Sequence, residues 1–473
     1  MEIYNMNIHR DINPSNWAEN QFNGLQFTDK RRTQRVKKIA TSLASHPGLT
    51  IPQLFTNSYD IKAAYNLFKH PQSTPQLLQA PHNSLVHKIM NESGTYLLIE
   101  DTSQLSWSGQ QQREGLGAIG SSAAGEQGFL LHTTLAVKWF PITSAIRPYV
   151  EVVGIANQEY YFRNRIPNKN KKEKGREKAV FGEKYEGESE LWNKIFTKLP
   201  SPKKEVRWVR VCDRGADIYE VLLNSLENDY GFVIRASKDR ALEDDKNKHL
   251  FDVAREGKIL GRYSIELRSR KKQEAREALL EISTSNANIR SPRRKGADLG
   301  KLSSIPLNIV RVVEKNNLED PIEWILLTDR EVNTFEEALE IVLQYSTRWI
   351  IEEFHKALKT GLGAENLQLE TASRLVAAIS IMSLVALRLI DMRERWRLNY
   401  DTKAEESGLT KIELEILRKY LKRKIETSKD VALALGRLGG HMNRKRDGMP
   451  GILTLWRGMK KLHLLCEGYI LAN

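Results

Sequence analysis

Apolar residues recur at two different periods along this chain. From Asp29 onward, Val36, Ile39, Ala40 and Leu43 recur at helical spacing, and Asp29 is placed to cap the first turn. The opposite face carries Lys30, Arg31, Arg32, Arg35, Lys37 and Lys38. A second helix is predicted over 60–69, stopped by the turn at His70 and Pro71. Residues 1–80 therefore read as a helical module. Beyond about residue 90 the pattern changes to short β-rich runs. YLLIED ends at Asp101, HTTLAVKWF covers 132–140, YVEVVGIA covers 149–156 and RWVRVCD ends at Asp213. GFVIRAS (231–237), IPLNIVRVV (305–313) and EWILLTD (323–329) complete the set. Within the polar stretch 238–304, RYSIELR and EALLEIS predict a hairpin. Helical segments lie between several strands, giving an α/β or α+β core.

From Thr334 the period returns to that of a helix, predicted to run unbroken to Gly361. Thr334 and Glu337 stand at the two positions of a reciprocal cap. An apolar helix follows at 371–396, and 403–473 is mostly helical and basic. The apolar stretch from Leu375 to Leu387 is shorter than the roughly 20 residues that cross a bilayer. It reads as a buried helix.

Charge changes the picture more than composition does. The formal net charge is +14, which favours a polyanionic partner such as nucleic acid. Two basic tracts, 163–178 and 289–296, read as exposed loops that either hold DNA or are solvated excursions. Two cysteines cannot make a disulfide framework, and no Cys/His cluster has zinc spacing. The N-terminus has no apolar signal core, so a cytoplasmic protein is expected.

Candidate chemistry centres on three carboxylates. Asp101 and Asp213 each follow an apolar strand and begin a polar turn, the position where open α/β sheets collect reactive groups. Two carboxylates there can grip a hard divalent cation such as Mg²⁺. The helix from Thr334 offers a third. Tyr345, Glu352 and Lys359 are seven residues apart, which on an unbroken helix falls about 20° short of two turns. Arg348 lies one turn before Glu352 on the same side. One stripe would then present a phenol, a guanidinium, a carboxylate and an ammonium. The same spacing equally suits ordinary ion pairs of Glu352 with Arg348 or Lys356. In the functional reading, two cations about 4 Å apart clamp the attacking and leaving oxygens of a phosphoryl transfer. Arg348, Lys359 and Tyr345 would hold phosphates beside them.

These residues resemble the bacterial DDE transposases of the Tn-five type, in the IS-four group of insertion-sequence enzymes. The stretch from Tyr345 to Glu365 (YSTRWIIEEFHKALKTGLGAE) is similar to that family's Tyr-(2)-Arg-(3)-Glu-(6)-Lys signature. IEDTS (99–103), CDRGADI (212–218), TDKRRTQR (28–35), AAYNLF (63–68), GRLGGHMNRKRDG (436–448) and LWRG (455–458) also look like the family's motifs. Gly215 stands where the family often has a charged residue.

The resemblance implies a ribonuclease-H-like catalytic domain over 81–380 with a β-rich insertion at about 238–322. It implies a DNA-binding domain over 1–80 and a helical dimerisation domain over 381–473. Asp101, Asp213 and Glu352 would be catalytic ligands of Mg²⁺, with Mn²⁺ able to substitute. Cut-and-paste chemistry on double-stranded DNA follows: a nick at the element's end, a hairpin intermediate and transfer of a 3′-hydroxyl to target DNA. A homodimer would hold the paired ends, at the nucleoid of a bacterial cell and not at a membrane. Trp324 matches a tryptophan that stacks on a flipped base, although a core tryptophan on a strand explains it as well. Arg235 matches an arginine near the DNA end, and Lys238 falls one residue out of the family pattern because Ala236 intervenes. Arg31, Arg32 and Arg35 would contact DNA from the N-terminal domain. Two other readings compete: a non-catalytic end-binding relic or inhibitor, and a nuclease of the same fold acting on other substrates.

Overall fold

The computed structural model describes residues 13–108, 112–119, 126–140, 148–163, 187–267, 275–292, 304–317, 319–398, 400–444 and 447–472. Residues 164–178 of the first basic tract, the hairpin turn beyond 267 and residues 293–296 of the second basic tract lie outside the described residues.

Five helices open the chain: α1 (Pro14–Gln21), α2 (Lys30–Ser45), α3 (Ile51–Leu54), α4 (Ser58–Lys69) and α5 (Pro75–Met90). Asp29 caps α2, its Oδ1 accepting the Arg31 amide at 2.9 Å. Val36, Ile39, Ala40 and Leu43 are buried as the spacing requires. The second helix starts earlier than predicted because Asn57 is its cap, accepting the Asp60 amide at 2.8 Å. That leaves the Asp60 carboxylate inside the first turn, where it pairs with Arg35 and Lys38 of α2.

Among the described residues, ten strands form one sheet: β1 (Gly94–Trp107), β2 (Gly117–Ala118), β3 (Gln127–Phe140), β4 (Tyr149–Tyr161), β5 (Val206–Cys212), β6 (Gly231–Arg235), β7 (Lys258–Leu267), β8 (Arg276–Arg290), β9 (Ser304–Glu314) and β10 (Glu323–Thr328). The order is β2-β3-β1-β5-β6-β10-β9-β8-β7, with β4 also on β3. β1, β5 and β6 are parallel, and β3 is antiparallel to both of its long neighbours, β1 and β4. The predicted hairpin is present as β7 and β8, and with β9 it extends the main sheet through β10.

β3 begins five residues before its predicted run and β4 ends five residues after, and β1 departs further. β1 does not end at Asp101 but continues to Trp107. Its antiparallel partner β3 stays in register along the whole length, from Thr95↔Trp139 to Trp107↔Gln127. Leu105 and Trp107 are buried beyond the polar run. Partner length and apolar anchors outweigh the weak β-propensity of Asp101, Ser103 and Gln104.

Between the strands lie α6 (Ile195–Lys198), α7 (Tyr219–Glu227) and α8 (Leu250–Arg255). The predicted long helix is broken. It divides into α9 (Phe335–Ser346) and α10 (Trp349–Lys356). At the junction the amides of Thr347, Arg348, Ile350 and Ile351 each bond the carbonyl three residues back. The Ser346 and Thr347 hydroxyls return to the Leu343 and Gln344 carbonyls, each at 2.7 Å, and so compete for the acceptors of the α-helical ladder. After Lys356 the chain widens over Ala357–Gly361, where the Leu362 amide bonds Ala357 O at 2.8 Å.

The apolar helix spans Ala372–Leu398 and is α11. By length and composition alone it could cross a membrane, but its most apolar window is wholly buried inside the protein. Its residues join the sheet and the N-terminal helices in one continuous apolar cluster. A separate cluster assembles the C-terminal helices α12 (Lys411–Leu421), α13 (Ser428–Leu438) and α14 (Ile452–Ala472).

Candidate active site

Asp101 and Asp213 come together because β1 and β5 are adjacent and parallel. The last rung of their ladder pairs Glu100 with Cys212. The two aspartates are therefore the first residues beyond it, at one level on strands roughly 4.8 Å apart. Side chains alternate along a strand, so both share a face with Leu97, Ile99, Val209 and Val211.

Each carboxylate accepts a backbone amide from a residue that closely follows it. Asp101 Oδ1 accepts the Thr102 amide at 2.8 Å, and Oδ2 lies 3.7 Å from Nδ1 of the buried His355 on α10. Burial pushes the Asp101 carboxyl up. The His355 contact, the Thr102 amide and the Arg348 charge outweigh that effect and leave it below the usual carboxylate range. Asp213 caps the turn at Arg214–Ala216, its Oδ1 accepting the Gly215 amide at 2.7 Å.

Glu352 lies on α10, whose face carries His355 toward Asp101. Its side chain is 54% exposed and pairs with the Arg348 guanidinium. Among the described residues, no three His, Cys, Asp or Glu side chains are gathered into a metal-holding group as they stand. A three-carboxylate set would require Glu352 to leave Arg348. The donors would then all be oxygens, which suits a hard divalent cation. His355 could contribute only a softer nitrogen, and the Cys212 thiol is buried on the opposite face and held protonated by that burial.

The predicted single stripe is not seen, because the tightened turn after Ser346 changes the helical rotation. Tyr345 is buried near Arg235 and Arg348, and burial raises its hydroxyl pKa. Its ring meets Trp324 of β10 edge-on at 5.1 Å. Trp324 is only partly buried, so the core reading does not account for the whole ring. Arg235 reaches the Glu323 carbonyl at 2.9 Å beside it. Arg235, Trp324, Tyr345 and Arg348 therefore form one group next to the aspartates. Lys359, on the widened turn, faces β1 instead: its Nζ donates to Gln104 O at 2.7 Å and lies 3.5 Å from Glu365.

Lys238 stands in the loop after β6, where its amide donates to Asp217 Oδ2 at 2.7 Å. Asp217 is buried and also accepts the Ser237 amide at 2.6 Å and Arg240 at 2.5 Å. It organises both the Asp213 turn and the Lys238 loop. Sequence reasoning missed this role and that of His355, although both lie inside motifs already singled out.

The N-terminal arginines divide. Arg31 is 91% exposed and pairs with Asp29, and Arg32 is half-buried. Arg35 is 16% exposed and turned to Asp60.

Comparison with known families agrees with this layout. Residues 14–73 match the family described as transposase DNA-binding, and residues 178–388 match the family described as transposase DDE domain. The second match contains Asp213 and Glu352, while Asp101 lies outside both. The two matches together span more than half of the chain.

Proposed function

From a chain that carries a transposase DNA-binding domain and a transposase DDE domain, we propose a cut-and-paste DNA transposase of the Tn-five type. Its catalytic core is read as ribonuclease-H-like. The strand order β4-β3-β1-β5-β6, with β1, β5 and β6 parallel, supports that reading. The observation that carries the proposal is the pair Asp101 and Asp213 at one level on adjacent parallel strands, faced by the helix that bears Glu352.

Asp101, Asp213 and Glu352 would hold Mg²⁺ or Mn²⁺. When bound, the ions supply charge stabilisation and an activated nucleophile for phosphoryl transfer. The protein's own residues do the rest. Arg348, once released from Glu352, provides a two-pronged donor for a phosphate. Lys359, held against β1 at Gln104, three residues beyond Asp101, is read as the contact to a backbone phosphate farther along that strand. Trp324, partly exposed and backed by the buried Tyr345 ring, would offer aromatic surface for a base displaced during hairpin formation, with Arg235 and Lys238 next to the DNA end. Arg31 and Arg32 contribute phosphate contacts from α2, and Arg35 sets the spacing of α2 and α4 through Asp60. A homodimer engaging two element ends completes the reading.

The test is cleavage of labelled DNA bearing the terminal repeat that flanks this gene. Wild type with Mg²⁺ should nick at the repeat boundary and form a hairpin. Glu352→Ala, and wild type in EDTA, should do neither. Binding without any cut in Mg²⁺ or Mn²⁺ would instead establish a non-catalytic end-binding protein.

A further inference from the structure

Behind the two aspartates, on the opposite face of the sheet, lies a fully buried ion pair. Arg210 of β5 donates to Glu100 of β1 through Nε at 2.6 Å and Nη2 at 2.7 Å. Both side chains are completely buried. The guanidinium also donates to Trp192 O at 2.7 Å and to Ser225 Oγ at 3.3 Å. On the other side of Glu100, His132 Nε2 lies 3.5 Å from Oε2. The second ring nitrogen of His132 bonds Thr102 Oγ1 at 2.8 Å, and the Thr102 amide is the one that holds Asp101. The Trp192 ring meets His132 at 4.7 Å, and a Cβ at Gly215 would come within 3.0 Å of it. The network thus runs from the turn that holds Asp213, across both strands, to the residue that holds Asp101.

Such a pair is costly to bury and is often matched or bettered in stability by apolar residues of similar volume. Its position says what else it does. The β1–β5 ladder ends at Glu100↔Cys212, so backbone pairing no longer sets the distance between the strands where the aspartates stand. Arg210 stands two residues before that rung, opposite Leu98, and its fork reaches diagonally across to Glu100 on the rung itself.

We propose that Glu100 and Arg210 are positioning residues, a clamp that fixes the separation of Asp101 and Asp213 for divalent-cation binding. It rests on the reading of those aspartates as metal ligands. The experiment is Mn²⁺ titration of the full chain, followed by the electron paramagnetic resonance signal of free Mn²⁺. Wild type should bind and Asp213→Asn should not. The double variant Glu100→Met with Arg210→Met removes the charges together and so avoids a lone buried ion. It should keep its near-ultraviolet circular dichroism while its Mn²⁺ dissociation constant rises at least about 10-fold, the usual size of an outer-shell effect. Should the double variant not fold, Arg210→Lys keeps the charge, loses the fork and should weaken Mn²⁺ binding by a similar factor. Wild-type Mn²⁺ affinity in either folded variant overturns the clamp and leaves the ligand assignment standing. Absence of Asp213-dependent binding in wild type overturns the ligand assignment itself, and the clamp with it.

Discussion

At the scale of single residues, neighbours decide what a charged side chain can do. Asp60 accepts from Arg35 and Lys38, and those hydrogen bonds hold its carboxyl far below the ordinary value of 3.8. A depressed folded-state pKa means stability that is present above the ordinary value and lost as pH falls below it. Asp60→Asn should therefore lower the melting temperature at pH 7, with the gap to wild type narrowing below about pH 4. A gap that stays constant down to pH 3 would refute this role. Gly215 is a second case. A Cβ there would stand 3.0 Å from both Asp213 Oδ1 and Trp192 Cζ2, so one of them must shift. Gly215→Ala should slow end cleavage by roughly 10-fold or more, because small displacements of a reacting group are expensive, while end binding stays unchanged. Equal cleavage rates for variant and wild type would show that the turn absorbs the methyl group.

At the scale of elements, local rules held where neighbours agreed with them. The cap at Thr334 is present in both directions, with Glu337 N donating to Thr334 Oγ1 at 3.2 Å and Thr334 N donating to Glu337 Oε2 at 3.1 Å. Thr334→Ala should cost about 1 kcal/mol in urea unfolding. A loss well under half of that would mean the tertiary contacts of α9 hold its first turn without the cap. The same helix shows where periodicity misleads. Tyr345, Glu352 and Lys359 share a stripe only on an unbroken helix, and the Ser346 and Thr347 hydroxyls interrupt it. Consequently Tyr345 goes to Trp324 and Lys359 goes to β1. β1 is the converse: its polar centre suggests a turn at Asp101, yet β3 holds it straight to Trp107.

At the scale of the whole molecule, the N-terminal helices and the catalytic sheet share one core. Trp17, Ile39 and Phe68 belong to the same apolar cluster as Leu375 and Leu384 of α11. Removal of residues 1–73 should therefore expose apolar surface on α11 as well as abolish end binding. The shortened protein should associate in sedimentation or light-scattering measurements. A monodisperse, stable remainder would show that the two parts fold independently.

The sequence by itself determined the helical caps, most of the strands, the buried character of the apolar helix and the identity of three candidate carboxylates. Each of these is written in short-range periodicity or in a motif of consecutive residues. Only the tertiary structure decided which strands are neighbours, and so that Asp101 and Asp213 stand side by side. It also decided that Arg35 belongs to Asp60, that Glu352 is turned to Arg348 and that Glu100 and Arg210 meet behind the site. Those pairings join residues from different elements, or select one partner among several at suitable spacing. Strand order and side-chain competition settle them, and neither is encoded in any one stretch of chain.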